Sequence, residues 1–572
     1  MYRPLVMGTR GMVAAGHYIA AHAGAQALAA GGNAVDAGVT AGIALNMLHP
    51  DMTTFTGVAP IMIHLAREGR TVTISGLGRW PRAASLDLLN ERLHGHIQDG
   101  VLCTVIPAAV DAWLTALDRY GTFSAAQALA PAIEIAEHGF PVYGFMRGNL
   151  LRQEAMYRRW PATAAIFLPG GRVPEVGDIF VQPDAAATLR RLAAAPVARD
   201  AFYRGELAAK MAAFARSEGG LLTEQDLADF HVQEEAPIVA RYKDYEIWGC
   251  GPWCQGIVLG QVLQMMETFD VGAMGHNSPA YVHALTEAVK LAMADREYYV
   301  GDPEFVSVPA EGMLSRAYAR DQSRRIDPGR ACPELPRPGD PWRHDATAWR
   351  GHPGAPRLPP CDGPAKVTLP PAAAVHTAAE DTSYVAVVDR DGNCFSATPS
   401  DPAAYSPVVP GMGLPLSARA RQNRLEAGHP AVAGPWRRPR LTPMPVIIFR
   451  GGRPWACMGT PGGDVQPQAM AQVFLNMVEF GLNPQDAVEA PRFATFSFPN
   501  SFYPHTYEPG VLRLEGRIPA ETRSQLAALG HRVELWPDWE WEAGAVLTVV
   551  STAGGLMQGA ADPRREGYAI GW

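Results

Sequence analysis

The spacing of apolar residues changes several times along the chain, and each change marks an element. Tyr18 to Ala30 is alanine-rich and closes on Gly31-Gly32, which predicts a helix with a glycine stop. Val35, Val39, Ile43 and Met47 recur every four residues before His49-Pro50 and predict a second helix that buries one face. Ile61 to Leu65 and Thr71 to Ile74 flank the turn Arg67-Glu68-Gly69, the pattern of a hairpin. Between about residues 105 and 230, alanine-rich periodic runs such as Ala125 to His138 and Asp184 to Ala194 predict an outer helical layer. Tyr242 to Trp248 reads as one strand, followed by helices at Ile257 to Phe269 and Ala280 to Tyr299.

Apolar periodicity disappears from about Asp327 to Ala379, where prolines and glycines crowd together, so this stretch reads as a surface tether. It ends at Glu380-Asp381-Thr382-Ser383. A linker of that length signals either a domain boundary or a function of its own. Beyond it, Tyr384 to Val388 and Cys394 to Thr398 predict a buried hairpin around Asp389 to Asn393. Val446 to Phe449 should pair with Trp455 to Met458 around Gly451-Gly452, and Val546 to Ser551 with Leu556 to Gln558 around Ala553 to Gly555. A helix with the buried stripe Met470, Val473, Phe474 and Met477 is expected to lie on this sheet.

The totals narrow the chemistry. A chain of 572 residues with 47% hydrophobic and 19% charged content is an ordinary globular composition, long enough for several sheets and helices. A net charge of −8, with no Lys/Arg block, gives no electrostatic warrant for nucleic acid or an anionic membrane, which leaves a small-molecule site. The first ten residues lack the apolar core of a signal segment, no stretch is long enough to cross a bilayer, and a cytoplasmic location is expected. The seven cysteines are thinly spread, which suits a reducing compartment better than a disulfide framework. Cys250 and Cys254 form the only close pair, and no further ligands stand at metal-site spacing, so no metal is expected.

Two segments carry candidate chemistry. Gly459-Thr460-Pro461-Gly462-Gly463-Asp464 follows a strand and opens a helix, so side-chain-free residues and unpaired N–H groups are placed to stabilise an oxyanion; the plain alternative is a tight turn. Thr382, at the head of a buried strand, would be unremarkable without a free amine. A threonine hydroxyl needs a base, and an N-terminal α-amine with a pKa of about 7.7–8.0 is suited to that task. The chain would have to be cut between Asp381 and Thr382 to supply it.

With these features in order, the chain resembles the γ-glutamyltranspeptidase family of N-terminal-nucleophile hydrolases over essentially its whole length. Ala30-Gly31-Gly32-Asn33-Ala34-Val35-Asp36-Ala37 matches a family hallmark, and Asp381-Thr382-Ser383 with Val387 to Asn393 resembles the self-cleavage site and the first strand of the small subunit. Gly459 to Gly463 is similar to the oxyanion loop, Glu489-Ala490-Pro491-Arg492 to the element after it, and Gly559 to Arg564 to the C-terminal signature. The resemblance implies an α+β fold, a four-layer αββα sandwich, and a precursor that cuts itself into a large subunit, residues 1–381, and a small subunit, residues 382–572. It further implies Thr382 as nucleophile, Gly462 and Gly463 as oxyanion donors, and Ser400 in the place of a threonine hydroxyl that supports the nucleophile. It implies no metal or organic cofactor.

The recognition residues depart from the family pattern. Leu77 stands where relatives that bind a γ-glutamyl group have an arginine, and Arg79 follows two residues later. The run Leu416 to Asn423 contains no acid to read a substrate amine; it offers Arg419 and Arg421 instead, which would repel that amine if they faced it. Leu441-Thr442-Pro443-Met444-Pro445 replaces a serine pair. The expectation is therefore an amidase or acyltransferase acting on an amide whose acyl group carries a carboxylate, with water or an amine as acceptor. Arg79, Arg419, Arg421, Arg440 and Thr442 are the candidate substrate contacts. The alternatives are a true γ-glutamyltransferase or glutathione hydrolase, and a non-catalytic binding protein that never matures.

Overall fold

The computed structural model describes residues 2–345, 355–359 and 382–572. Asp381 and the tether beyond residue 359 therefore lie outside the described residues.

Two seven-stranded sheets form the centre among the described residues. The first runs in the order Tyr568–Gly571, Gly11–Ala15, Val385–Asp389, Cys394–Ala397, Ile61–Leu65, Arg70–Ile74, Glu234–Glu235. The second runs Val6–Gly8, Met557–Ala561, Leu547–Ser551, Arg453–Gly459, Val446–Arg450, Tyr245–Gly249, Ile238–Tyr242. The period-two alternation of strands explains the layering. Met12, Ala14, Met62, Ala386 and Val388 face the core shared with the second sheet, whereas Val13, Ala15, Ile61, Ile63, Val385 and Val387 face a separate core under the helices. Strands buried on both faces need no polar side, so they read as continuous apolar runs.

Helices Tyr18–Ala29, Ala34–Leu48, Ala109–Tyr120 and Ala125–His138 cover the first sheet, and Gly256–Met266, Pro279–Tyr299 and Gln466–Val478 cover the second. The result is a four-layer αββα sandwich. Ala34–Leu48 is buried at every position, more than its one-faced stripe predicts. It lies between a sheet and further helices, and small residues admit the close approach: a Cβ at Gly38 would strike the Phe395 ring and one at Gly42 the Trp113 ring. A capping box of Asn33 and Asp36 starts this helix.

The predicted hairpins form with the expected antiparallel pairing. Tyr242 to Trp248 is a correction. It is two strands, Ile238–Tyr242 and Tyr245–Gly249, turning at Lys243, whose φ of 50° allows the chain to reverse. The tether's described part is docked rather than loose: Ser307 N donates to Pro356 O at 3.0 Å and Trp342 Nε1 to Leu358 O at 2.9 Å.

The strand Val385–Asp389 pairs with Gly11–Ala15 on one side and Cys394–Ala397 on the other. Residues on either side of position 382 thus interleave within both sheets. Described residues before and after position 382 share each core.

Candidate active site

Thr382 is fixed just before this central strand by a bridge to Ser400, and Ser383 N donates to Pro399 O at 2.9 Å. Ser400 is fixed in turn, since its N–H donates to Val58 O at 2.9 Å. Gly57 allows the two segments to close up, because a Cβ there would lie 2.3 Å from the Ser400 carbonyl oxygen. Both hydroxyls are buried, with Thr382 Oγ1 3.0 Å from Ser400 Oγ. Arg419 Nη2 donates to Ser400 Oγ at 2.6 Å, and its guanidinium lies 5.4 Å from the Phe502 ring centre.

Asp401 follows at φ 98°, a strained conformation for a residue with a Cβ, and accepts from Ser417 Oγ at 2.5 Å. Burial raises its pKa, while the Arg419 charge pulls it back.

Beside Thr382 is a cavity of about 10 Å³, roughly the space of one water, lined among others by Gly16, His49, Met52, Pro461 and Arg565. His49 Nδ1 lies 3.2 Å from Ser383 Oγ. Burial holds the His49 pKa well below its ordinary value, and His17 and Arg565 push it the same way, so its imidazole is neutral. Arg565 donates to Trp541 O at 3.0 Å and stacks 4.9 Å from the Phe145 ring centre.

The glycine loop reaches this cavity through Pro461. Gly462 and Gly463 have φ of 120° and 54°, where a side chain would be strained, and the helix Gln466–Val478 follows. Asp464 pins the loop: its carboxylate accepts from Arg296 Nη1 at 2.5 Å, Ser501 Oγ at 2.6 Å and Ser501 N at 2.7 Å. Backbone N–H groups held by so buried an anchor can stabilise negative charge without reorganising.

The structure thus gathers Thr382, Ser400 and Arg419 into one hydrogen-bonded chain, with the Gly462-Gly463 loop adjoining. The other candidates are engaged elsewhere. Arg79 donates to Glu304 Oε1 at 2.5 Å and to Trp436 O at 2.8 Å. Arg440 pairs with Glu297 at 2.7 Å, and burial lowers its pKa to about 10 against that partner's pull. Arg421 pairs with Asp99 at 3.1 Å and stacks 4.0 Å from the Tyr405 ring centre. Thr442 Oγ1 accepts from Gln422 Nε2 at 2.9 Å. Asp381 lies outside the described residues.

His49, Arg565 and Asp464 escaped the sequence reading. His49-Pro50 looked like a helix end, Arg565 stands one residue beyond the C-terminal signature, and an acid at a helix start is ordinary capping chemistry.

For a metal, the one grouping of ligand types among the described residues is buried His283, Glu287 and His531. Lys290 Nζ, 2.7 Å from Glu287 Oε1, already supplies a cation there. Among the described residues, Cys250 and Cys254 gain no further ligands.

The family model for gamma-glutamyltranspeptidase matches residues 20–572. The glutathione hydrolase-like YwrD proenzyme of Bacillus subtilis (strain 168) is 29% identical over 569 residues, 99% of each chain. The acylase ACY 1 proenzyme of Pseudomonas sp. (strain SE83) is 32% identical over 98% of this chain and 94% of its own. An oxamate amidohydrolase proenzyme of Klebsiella pneumoniae is 26% identical over 99% of each chain. The crystal structure of a cephalosporin acylase from Bacillus halodurans superposes with a TM-score of 0.84 and 28% identity, covering 100% of this chain and 97% of its own.

Proposed function

Since the chain belongs to the γ-glutamyltranspeptidase family, we propose that Thr382 is its nucleophile, freed by cleavage after Asp381 into fragments 1–381 and 382–572. The protein is a self-processing amide-bond hydrolase or acyltransferase; its relatives include an acylase proenzyme and an oxamate amidohydrolase proenzyme. One observation carries the assignment of the nucleophile: a buried Thr382 hydroxyl 3.0 Å from Ser400 Oγ, at the head of the strand between the two central pairings.

In the mature chain the Thr382 α-amine takes the hydroxyl proton as Oγ1 bonds to the amide carbon. The carbonyl electron pair moves onto oxygen, where the Gly462 and Gly463 N–H groups stabilise it. The pair returns, the C–N bond breaks, and the departing amine takes the proton. Water or an amine then releases the acyl group by the same route.

The acyl group is proposed to carry a carboxylate. One relative is an oxamate amidohydrolase proenzyme, and two arginines stand near Thr382, Arg419 behind Ser400 and Arg565 on the cavity wall, the latter sharing that wall with Asp562. Arg565 is our candidate for the anion clamp. Leu77, packed in the apolar core, and Arg79, paired with Glu304, argue against γ-glutamyl transfer. A cytoplasmic location completes the proposal, supported by the thinly spread cysteines.

The test uses the processed enzyme with short monoamides of dicarboxylic acids, their methyl esters, and a γ-glutamyl anilide. Released amine and a transient mass gain on the 382–572 fragment are expected with the free acids and not with the esters. Preference for the γ-glutamyl anilide would instead establish the transferase alternative.

A further inference from the structure

The residue proposed to support the nucleophile is a serine, and a serine hydroxyl is less constrained at χ1 than a threonine's. Something else has to aim it. Arg419 is placed to do so. A guanidinium has donors only, so in the 2.6 Å contact between Arg419 Nη2 and Ser400 Oγ the serine is the acceptor. That leaves the one Ser400 proton for another partner, and Thr382 Oγ1 lies 3.0 Å away.

Arg419 is itself immobilised. It is buried, starts the short turn Arg419–Gln422, stands over the Phe502 ring, and has the strained, buried Asp401 as a charge partner. Arg421, two residues on, is occupied by Asp99 and Tyr503 O.

We infer that Arg419 is a positioning residue: it orients and polarises the Ser400 hydroxyl so that its proton is donated to Thr382 Oγ1 as that oxygen loses its own. The arginine acts through the serine and touches no reacting atom. A hydrogen bond from a charged donor makes the serine hydroxyl a stronger donor in turn, and that gain is largest when Oγ1 carries negative charge. The same polarised hydroxyl serves self-cleavage, in which Thr382 Oγ1 attacks the carbonyl before it. The inference rests on Thr382 being the nucleophile.

The test follows self-cleavage of the full chain by intact mass for wild type, R419Q, R419K, S400A, the double variant R419Q/S400A, and T382A as a control for the underlying reading. R419Q is expected to slow cleavage about 10–100-fold, less than loss of a direct oxyanion donor. R419K keeps a cationic donor and should recover part of the rate. The R419Q profile should move to higher pH, because the developing alkoxide loses a stabilising cation.

In the S400A background the R419Q change should add nothing, since the arginine works through that hydroxyl. Equal cleavage rates for wild type and R419Q, or fully additive losses in the double variant, would overturn the inference while leaving Thr382 in place. Cleavage by T382A would instead sink the nucleophile reading itself. If R419Q fails to fold, R419K with and without S400A gives the same cycle.

Discussion

Two buried, arginine-lined regions of this protein use the same side chain in opposite ways. Around Glu297, Arg424 and Arg440 converge on one carboxylate, while Arg296 binds Asp464. Burial alone would raise the Glu297 pKa, but the two arginines outweigh it and hold the group ionised far into acid. Around Thr382, Arg419 directs an N–H to a hydroxyl instead, and the neighbouring histidines are kept neutral by burial. In the first region each cation is spent on an anion and the product is rigidity, including the fixed glycine loop above Asp464. In the second, polar groups are aligned on the hydroxyl proposed to be the nucleophile.

The largest expected effect falls on the first region. Glu297→Ala strands two buried arginines and should cost about 3–5 kcal/mol in denaturant unfolding; a loss below about 1 kcal/mol would show that water already screens the cluster. Next, Ser400→Ala should reduce self-cleavage about 100–1000-fold, about 2.7–4 kcal/mol of barrier, with little change in the unfolding midpoint. Equal loss of stability would make Ser400 a packing residue and erase the contrast.

Acid should separate the regions further. His17 is held neutral, its pKa lowered by burial to about 3, against about 6.5 when unfolded. Its contribution to stability is complete above pH 6.5 and is lost as pH falls towards 3, by at most about 1.4 kcal/mol per pH unit. His17→Asn keeps a cap for the helix Tyr18–Ala29 and should flatten the fall of melting temperature between pH 7 and 4. An unchanged slope would place the acid sensitivity elsewhere. The smallest effect belongs outside both regions: Ser124→Ala removes the cap of Ala125–His138 and should cost about 1 kcal/mol, with self-cleavage unaltered.

Much of the fold was legible because strands buried on both faces and alanine-rich helices leave strong local patterns, as Val385–Asp389 and Tyr18–Ala29 do. The reversal at Lys243 was not, because it has neither glycine nor proline to mark it. Ordered motifs mark Thr382 and the Gly462-Gly463 loop as candidates and the family resemblance marks Ser400, which the structure places 3.0 Å from Thr382. The roles of the arginines were hidden, since partners such as Glu304 for Arg79 and Glu297 for Arg440 stand 225 and 143 residues away. Sequence spacing names the charges; only packing shows which are already neutralised. His49 and Arg565 belong to the same class, being brought to Thr382 from the two ends of the chain.

Whether Thr382 is the nucleophile can be read from intact mass under denaturing conditions. The wild-type chain should resolve into two fragments meeting between Asp381 and Thr382, and Thr382→Ala should stay whole. A wild-type chain that remains whole after prolonged incubation, or a Thr382→Ala chain that divides at the same bond, would contradict it.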